Sequence, residues 1–294
     1  MSPLTQLERF QRLTNFLATN FKTKITSQIV EEISFYSYRN INRIFLALQH
    51  ETIGQHIKRL KLEKAAEYLK YSKLDILDIA LELGYSDLAA FSKAFKKQFH
   101  VAPSHFRNTH QLKAELQQAV ISTAPPMTNP NISFVLEDLP DLAILYLAYE
   151  GPYENLSAIE NTWTQLTTYA TQQNLIAPDT IHLAEILDDD TITETLHCRY
   201  HAAIVLSQEL TSHLPPFFQT KIIPSQRYAK FIHRGSHASC EDTYQMIYAH
   251  WLTQVQLEFA DAPTLEFYVN DESDTAVEDL MVEIYIPVKG VNLK

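Results

Sequence analysis

Residues 72–107, SKLDILDIALELGYSDLAAFSKAFKKQFHVAPSHFR, decide how this chain is read. Apolar residues at Ile76, Ile79, Ala80 and Leu83 fall on one side of a helix. Gly84 follows, where a residue without Cβ can take the left-handed conformation that ends a helix. Ser86 is then expected to cap a second helix. Its Leu88, Phe91, Ala94 and Phe95 face inward, leaving Lys93, Lys96 and Lys97 outward. Helix, glycine turn and helix with a basic outer face is the pattern of a DNA-reading helix-turn-helix. An ordinary helical hairpin in an α-helical enzyme would satisfy the turn equally well.

The layout occurs twice, which favours the first reading. Residues 27–59, SQIVEEISFYSYRNINRIFLALQHETIGQHIKR, repeat it about 50 residues earlier. Tyr36-Ser37 is matched to Tyr85-Ser86, Phe45 to Phe95, and Ile57-Lys58-Arg59 to His105-Phe106-Arg107. Between the units, residues 52–72 open with the Thr52/Gln55 spacing of a capping box and hold strong helix formers with no proline. A helix of about 19 residues at 1.5 Å per residue spans about 28 Å. Such a strut can hold two recognition helices close to one DNA turn apart, about 34 Å. The site read need not be palindromic, because one chain supplies both helices.

Residues 22–110 resemble the DNA-binding region of AraC/XylS-type transcription regulators. The resemblance rests on IKRLKLEKAAEYL (57–69) and on DILDIALELGYSDLAAFSKAFKKQFHVAPSHFR (75–107), with its GYSD, FSKAFK and P-x-x-x-R elements. It implies base contacts by Arg39, Asn42 and Arg43 in the first unit and by Ala89, Ala90 and Lys93 in the second. Arginine suits guanine and asparagine suits adenine, whereas alanine can only touch a thymine methyl group. The first helix is therefore expected to supply most polar base readout. The second adds Lys93 and phosphate contacts, for which Lys96 and Lys97 are the candidates. The chain departs from the family pattern at Phe35, which replaces the first turn glycine, and at Glu31, which replaces a small residue. His50 and His100 stand where glycines commonly end both recognition helices.

Charge divides the chain in the same way. Its 294 residues carry a net charge of −11, which taken whole argues against nucleic acid. Residues 1–112 hold 16 Lys/Arg against 10 Asp/Glu, net +6, and residues 113–294 hold 8 against 25, net −17. Polyanion binding is a local property, so a basic head on an acidic body fits DNA. The length suggests two domains, and 46% hydrophobic content can fill two cores. No run approaches 18 apolar residues, so no membrane span is expected. The start, MSPLTQLERF, lacks the order of a signal peptide. Cys198 and Cys240 show no C-x-x-C spacing, so neither a disulfide scaffold nor a zinc site is expected. Cytoplasmic residence follows. The expected division is a DNA-binding domain over 1–112, a linker over 113–131 around Pro125-Pro126 and Asn129-Pro130, and a second domain over 132–294.

The second domain reads as another duplication. Residues 133–154 and 218–236 are β-rich and end near Gly151 and Gly235. Each leads to a helical segment, 155–173 or 239–255. Two strands follow each helix, within 181–206 and 265–288. A β–α–β–β unit repeated twice predicts one antiparallel sheet with both helices on one face and a cleft between the halves. The expected fold class is thus an all-α tandem helix-turn-helix region followed by a duplicated antiparallel-sheet domain. Such a cleft, lined by aromatics around a few polar groups, suits a small molecule.

EGPYE (150–154), a helix bearing Trp163, and VEIYIPV (282–288) are similar to the GyrI-like domain that senses small molecules, over roughly residues 131–290. Joined to an AraC-type head, this implies a ligand-responsive transcription regulator, an activator or a repressor, with RNA polymerase as a further partner. The resemblance places an acid at Glu283, at the bottom of a pocket for cationic, lipophilic compounds. Alternation sets Glu283 and Tyr285 on one side of the last strand, a charge beside a ring that suits a cation; the same face is also compatible with plain solvent. Trp163, Tyr149 and Tyr268 are candidate walls, with core packing the alternative. His201 stands at the counterpart of Glu283.

Catalysis has little support. G-x-S-x-G, H-E-x-x-H, P-loop and Rossmann glycine patterns are all missing from the sequence. An enzyme is not expected, and neither is a cofactor or a metal. Asp188-Asp189-Asp190 has no coordination-loop spacing and is read as a solvated turn. The competing classes are a GyrI-like hydrolase using Glu283 and a module that sequesters a protein partner.

Overall fold

The computed structural model describes residues 5–110, 133–207, 210, 214–215, 217–254, 257–270 and 274–289. The chain forms two compact units, Met1–Leu112 and Lys113–Lys294. The expected linker, 113–131, lies outside the described residues.

The first unit is helical: α1 (Gln6–Asn20), α2 (Ser27–Ser34), α3 (Tyr38–Gln49), α4 (Ile53–Tyr71), α5 (Ile76–Glu82), α6 (Leu88–Phe99) and α7, described over 103–110. The Thr52/Gln55 capping box opens α4, which runs 19 residues without interruption. Helix α1 was not anticipated. Its Phe10, Leu13 and Leu17 pack with Val30, Ile41, Phe45 and Ile53, so it closes the core of the first repeat. At the end of α5, Gly84 has φ of 77°, and the Tyr85 and Gly84 amides donate to the Ala80 and Leu81 carbonyls. That is a Schellman ending, which requires the left-handed residue supplied by glycine.

Two local expectations need correction. Asp87, not Ser86, caps α6: its carboxylate accepts from the Ala90 amide at 2.7 Å, and the Ser86 hydroxyl donates to Asp87 at 3.0 Å. A carboxylate at this position also complements the positive end of the helix dipole. The repeats are offset by 50 residues after the turn, because α3 and α6 begin at Tyr38 and Leu88. His56 therefore stands where Phe106 does, and both rings meet an equivalent phenylalanine edge-on (His56 on Phe45, Phe106 on Phe95). In the P-x-x-x-R element, Arg107 donates to the Leu74 carbonyl at 2.7 Å, tying α7 to the loop between α4 and α5.

The second unit is one antiparallel sheet of β1 (Val135–Leu139), β2 (Leu142–Glu150), β3 (His182–Ile186), β4 (Arg199–Val205), β5 (Phe218–Ile223), β6 (Gln226–Arg234), β7 (Thr264–Tyr268) and β8 (Met281–Pro287). Helix α8 (Leu156–Gln172) follows β2, and α9 (Cys240–Gln254) follows β6. Each half thus has one strand more than the expected β–α–β–β unit: β1 and β5 lead their halves. The strand order is β1-β6-β8-β7-β3-β4-β2-β5. Exchanging the halves reverses this order and leaves it otherwise unchanged, so a pseudo-twofold axis passes between β3 and β7.

Each leading strand pairs with the other half, β1 with β6 and β5 with β2. Yet β1 joins β2, near the opposite edge of the sheet, through Pro140 and Asp141 alone. A link that short spans only about 10 Å, so the sheet must curl until its ends approach. Asp141 accepts the Ser225 amide at 2.6 Å, and these equivalent turns close the curl. Ile144, Leu183, Ala203, Ile223, Tyr228, Leu265 and Tyr285 form one buried cluster inside it. On the other face α8 packs Leu166 and Ala170 against Leu145, Ala184 and Tyr200. There α9 packs Ile247 and Cys240 against Ala229, Phe231 and Val282. The expectation that both helices share one face agrees with this packing.

Candidate functional site

In the first unit, α3 and α6 bury equivalent residues, Ile41 and Phe45 against Phe91 and Phe95. Their outer faces differ. Arg39 and Arg43 are exposed on α3, with Leu46 (46% exposed) and Ala47 beyond them. Helix α6 exposes Ala89, Ala90, Lys93, Lys96 and Lys97. The first helix therefore concentrates planar donors near its N-terminus, and the second places cations toward its C-terminus. Asn42 is only partly exposed, and its Oδ1 accepts the Ile53 amide at 3.0 Å, the first N–H of α4.

The departures at the first turn have local compensation. Phe35, His50 and His100 all adopt the left-handed conformation, with φ of 57°, 57° and 64°. The Phe35 ring lies under the Arg9 and Arg12 guanidiniums, 5.8 and 5.5 Å from its centroid. Ser37 makes no side-chain cap; instead Glu31 reaches across the turn and accepts the Tyr38 amide at 2.6 Å. The junction after α3 is ionic. Arg59 bridges Glu51 (2.9 Å) and Glu63 (3.1 Å), and His56 meets Glu51 at 2.8 Å. Burial works against ionisation of Glu51, but the His56 and Arg59 bonds prevail and hold its carboxyl down at about 2.

In the second unit, the sequence candidates separate onto two faces of the sheet. Trp163, Tyr149 and Tyr268 come together on the helix face, packed around Leu145, Leu166, Ala184 and Tyr200. Gly151 makes room there, since a Cβ on it would sit 2.5 Å from the Tyr149 hydroxyl. Trp163 Nε1 donates to the Tyr200 hydroxyl at 2.7 Å, and the Tyr200 and Tyr268 hydroxyls lie 3.0 Å apart. Tyr268 donates to Glu266 at 2.8 Å, and Tyr244 donates to its other oxygen at 2.7 Å. Because the Tyr268 proton goes to Glu266, Tyr200 must donate to Tyr268. The result is a one-way chain of donors ending on a carboxylate that only accepts.

Glu266 is 8% exposed and sits at the pseudo-twofold axis, paired in register with Ala184 of β3. One half supplies the acid and the other only a methyl group, so the region beside the carboxylate is walled by rings. The Trp163 and His237 rings meet Tyr268 edge-on at 5.2 and 5.1 Å. Among the described residues, hydroxyl groups alone bond Glu266 and no lysine or arginine pairs with it. Burial and the Glu266 charge push the Tyr244 and Tyr268 phenols well above their ordinary range. The same causes push the Cys240 thiol up to about 12, so that sulfur is not a thiolate near neutrality. Sequence reading missed Glu266, although LEFYVN alternates so that Glu266 and Tyr268 share a side.

Glu283 and Tyr285 lie on the opposite, concave face and do not join Trp163, Tyr149 and Tyr268. Tyr285 is 3% exposed but Ile232, the register partner of Glu283, is 53% exposed, so this face is buried at the ring and open beside the carboxylate. Tyr285 donates to Glu283 at 3.1 Å, and Lys230 pairs with both Glu283 (3.4 Å) and Glu137 (3.1 Å). The Lys230 ammonium lies 5.7 Å from the Tyr285 ring centroid. The charge beside a ring does suit a cation, and the chain itself provides one. His201 is the register counterpart of Glu283, as expected: each stands at the same place relative to its helix-leading strand. His201 meets buried Glu185 at 2.9 Å, and Lys221 meets the same carboxylate at 2.8 Å. Burial drives the His201 pKa down, against the pull of Glu185. Asp188 is not the solvated residue expected; it is buried and grips Arg199 through Nε (2.8 Å) and Nη2 (2.6 Å).

Residues 133–289 match the model of the GyrI-like small molecule binding domain, and residues 32–109 match a helix-turn-helix domain. Regulatory protein SoxS of Salmonella typhimurium is 31% identical over 98 residues, which are 33% of this chain and 92% of that protein. This chain belongs to the AraC/XylS family of transcription regulators. Transcriptional regulator Rob of Salmonella typhimurium is 25% identical over 269 residues, covering 86% of this chain and 89% of Rob. Among solved structures, EcmrR in its DNA-bound transcription complex is 12% identical with a TM-score of 0.48, over 85% of this chain and 99% of that one. Like its AraC/XylS relatives, the chain is a DNA-binding transcription regulator; to this it joins a GyrI-like ligand-binding domain. No helix among the described residues is long and apolar enough to cross a membrane, and none of their acidic, histidine and cysteine groups forms a metal-binding cluster.

Proposed function

We propose that this regulator reads duplex DNA through α3 and α6 and takes a lipophilic cation as effector at Glu266. The observation that carries the effector reading is a buried carboxylate satisfied by phenols alone, inside a ring of aromatic side chains. Such a group gains most from a delocalised cation, which loses little hydration and meets both charge and π faces. Glu283 is assigned a structural role, because Lys230, which it shares with Glu137, already gives it a cationic partner. Arg39 and Arg43 on α3, with Ala89, Ala90 and Lys93 on α6, face the major groove, and Lys96 and Lys97 meet phosphate. The expected division at 1–112 and 132–294 separates reader from sensor. RNA polymerase is the further partner through which promoter binding becomes activation, and the cytoplasm, where the chromosome lies, is the place of action.

Calorimetric titration of the full chain with tetraphenylphosphonium and with neutral triphenylphosphine oxide tests the effector class. The cation should bind at least about tenfold more tightly, a difference of roughly 1.4 kcal/mol. Equal affinity for the two compounds would refute the cationic reading.

A further inference from the structure

Resting on the reading of α3 as a DNA-reading helix, we infer that Asn40, rather than Asn42, joins Arg39 and Arg43 in reading bases. Recognition of adenine by asparagine needs both ends of the amide, with the oxygen accepting from adenine N6 and the nitrogen donating to N7. The Asn42 oxygen is directed at the backbone of α4, where it accepts the Ile53 amide. At about 100° per residue, Asn42 lies about 60° from buried Phe45 and about 100° from Arg43 around the helix axis. Asn40 lies about 60° from Arg43 on the opposite side and about 100° from buried Ile41, on the exposed face. Asn40 is exposed, and among the described residues the side chains of Arg39, Asn40 and Arg43 make no hydrogen bond or ion pair. All three are therefore available to a duplex without breaking anything inside the protein.

The second repeat supports the assignment. Ala90 occupies the position of Asn40 in α6, within the same pattern of burial. Ser92 occupies the position of Asn42 and is partly buried in the same way. The outward position thus carries a polar amide in the repeat rich in arginine and a methyl group in the other. Leu46 extends the exposed stripe of α3 and is 46% exposed, which suits contact with a thymine methyl group. Asn42 becomes a positioning residue: by capping the first N–H of α4 it sets the angle between recognition helix and strut.

The experiment is selection of binding sites from a randomised duplex library with the full-length protein and its variants, reading the base preference at each position. Asn40→Ala should lose an adenine preference next to a position that depends on Arg43, by about five- to a hundred-fold. Asn42→Asp keeps the acceptor for the Ile53 amide and lacks the amide donors, so its preferences should match those of the parent. Asn42→Ala should lower thermal stability. If Asn42→Asp erases a base preference while Asn40→Ala retains every one, the inference is overturned. If Arg43→Ala also leaves every preference intact, it is the reading of α3 itself that has failed.

Discussion

In the first helix-turn-helix repeat, the junction after the recognition helix is ionic, built from Glu51, His56, Arg59 and Glu63. In the second, the same place is aromatic, with Phe106 set against Phe95 and Phe99. The halves of the sheet differ as well: β7 carries Glu266 where β3 carries Ala184, and β8 carries Glu283 where β4 carries His201. Adjacent strands β7 and β8 carry Glu266 and Glu283, one facing the helices and hydroxyl-bonded, the other facing the curl and lysine-paired. A duplicated backbone therefore does not duplicate chemistry.

Acid should separate the two helical repeats most strongly. The Glu51 carboxyl is held at about 2, below its ordinary 4.5. A depressed carboxyl stabilises the folded state fully above the unfolded value, and this contribution is lost as pH falls from about 4.5 toward 2. About 3 kcal/mol should disappear over that window. Hydrogen exchange of the full chain should show α3 and the start of α4 opening before α6 and α7. Glu51→Gln should remove the difference, and equal protection of both repeats at low pH would contradict the ionic account.

On the sheet, Lys230→Met strips the internal cation from Glu283 and Glu137. The expected loss of stability is about 2 kcal/mol, less than for a fully buried pair because the groups are partly exposed. Glu266→Gln should cost about 1–2 kcal/mol, since an amide oxygen still accepts from one tyrosine while the other loses its acceptor. Urea unfolding distinguishes them; a larger loss for Glu266→Gln would mean that its carboxylate is chiefly structural.

The turns give modest effects. Gly84→Ala puts a Cβ on a residue at φ 77° and 3.0 Å from Lys61 Nζ, and should cost about 1–2 kcal/mol. Phe35→Gly relieves similar strain but removes two cation–π contacts of about 0.5–1 kcal/mol each. Its melting temperature should stay close to that of the parent. A marked stabilisation would show that Arg9 and Arg12 contribute little to the first turn.

Much of this organisation was legible in the sequence because it rests on local periodicity. Phe91 and Phe95, the left-handed Gly84, the Thr52/Gln55 cap and the alternation of residues 280–287 are all short-range patterns. The pairing of β1 with β6 was not legible, since it depends on how a curled sheet closes. Asp87 escaped notice because Ser86 beside it is an equally good cap by residue type alone. Glu266 was missed because the family resemblance pointed to Glu283, and only the fold shows that Lys230 reaches Glu283 and leaves Glu266 to tyrosines.

The decisive measurement is calorimetric titration of tetraphenylphosphonium into the full-length Glu266→Gln and Glu283→Gln proteins, side by side with the parent. Loss of a buried charge partner should weaken binding to Glu266→Gln at least about thirtyfold, while Glu283→Gln stays within about threefold of the parent. Unchanged affinity in Glu266→Gln together with collapse in Glu283→Gln would move the cation to the concave face and contradict the account.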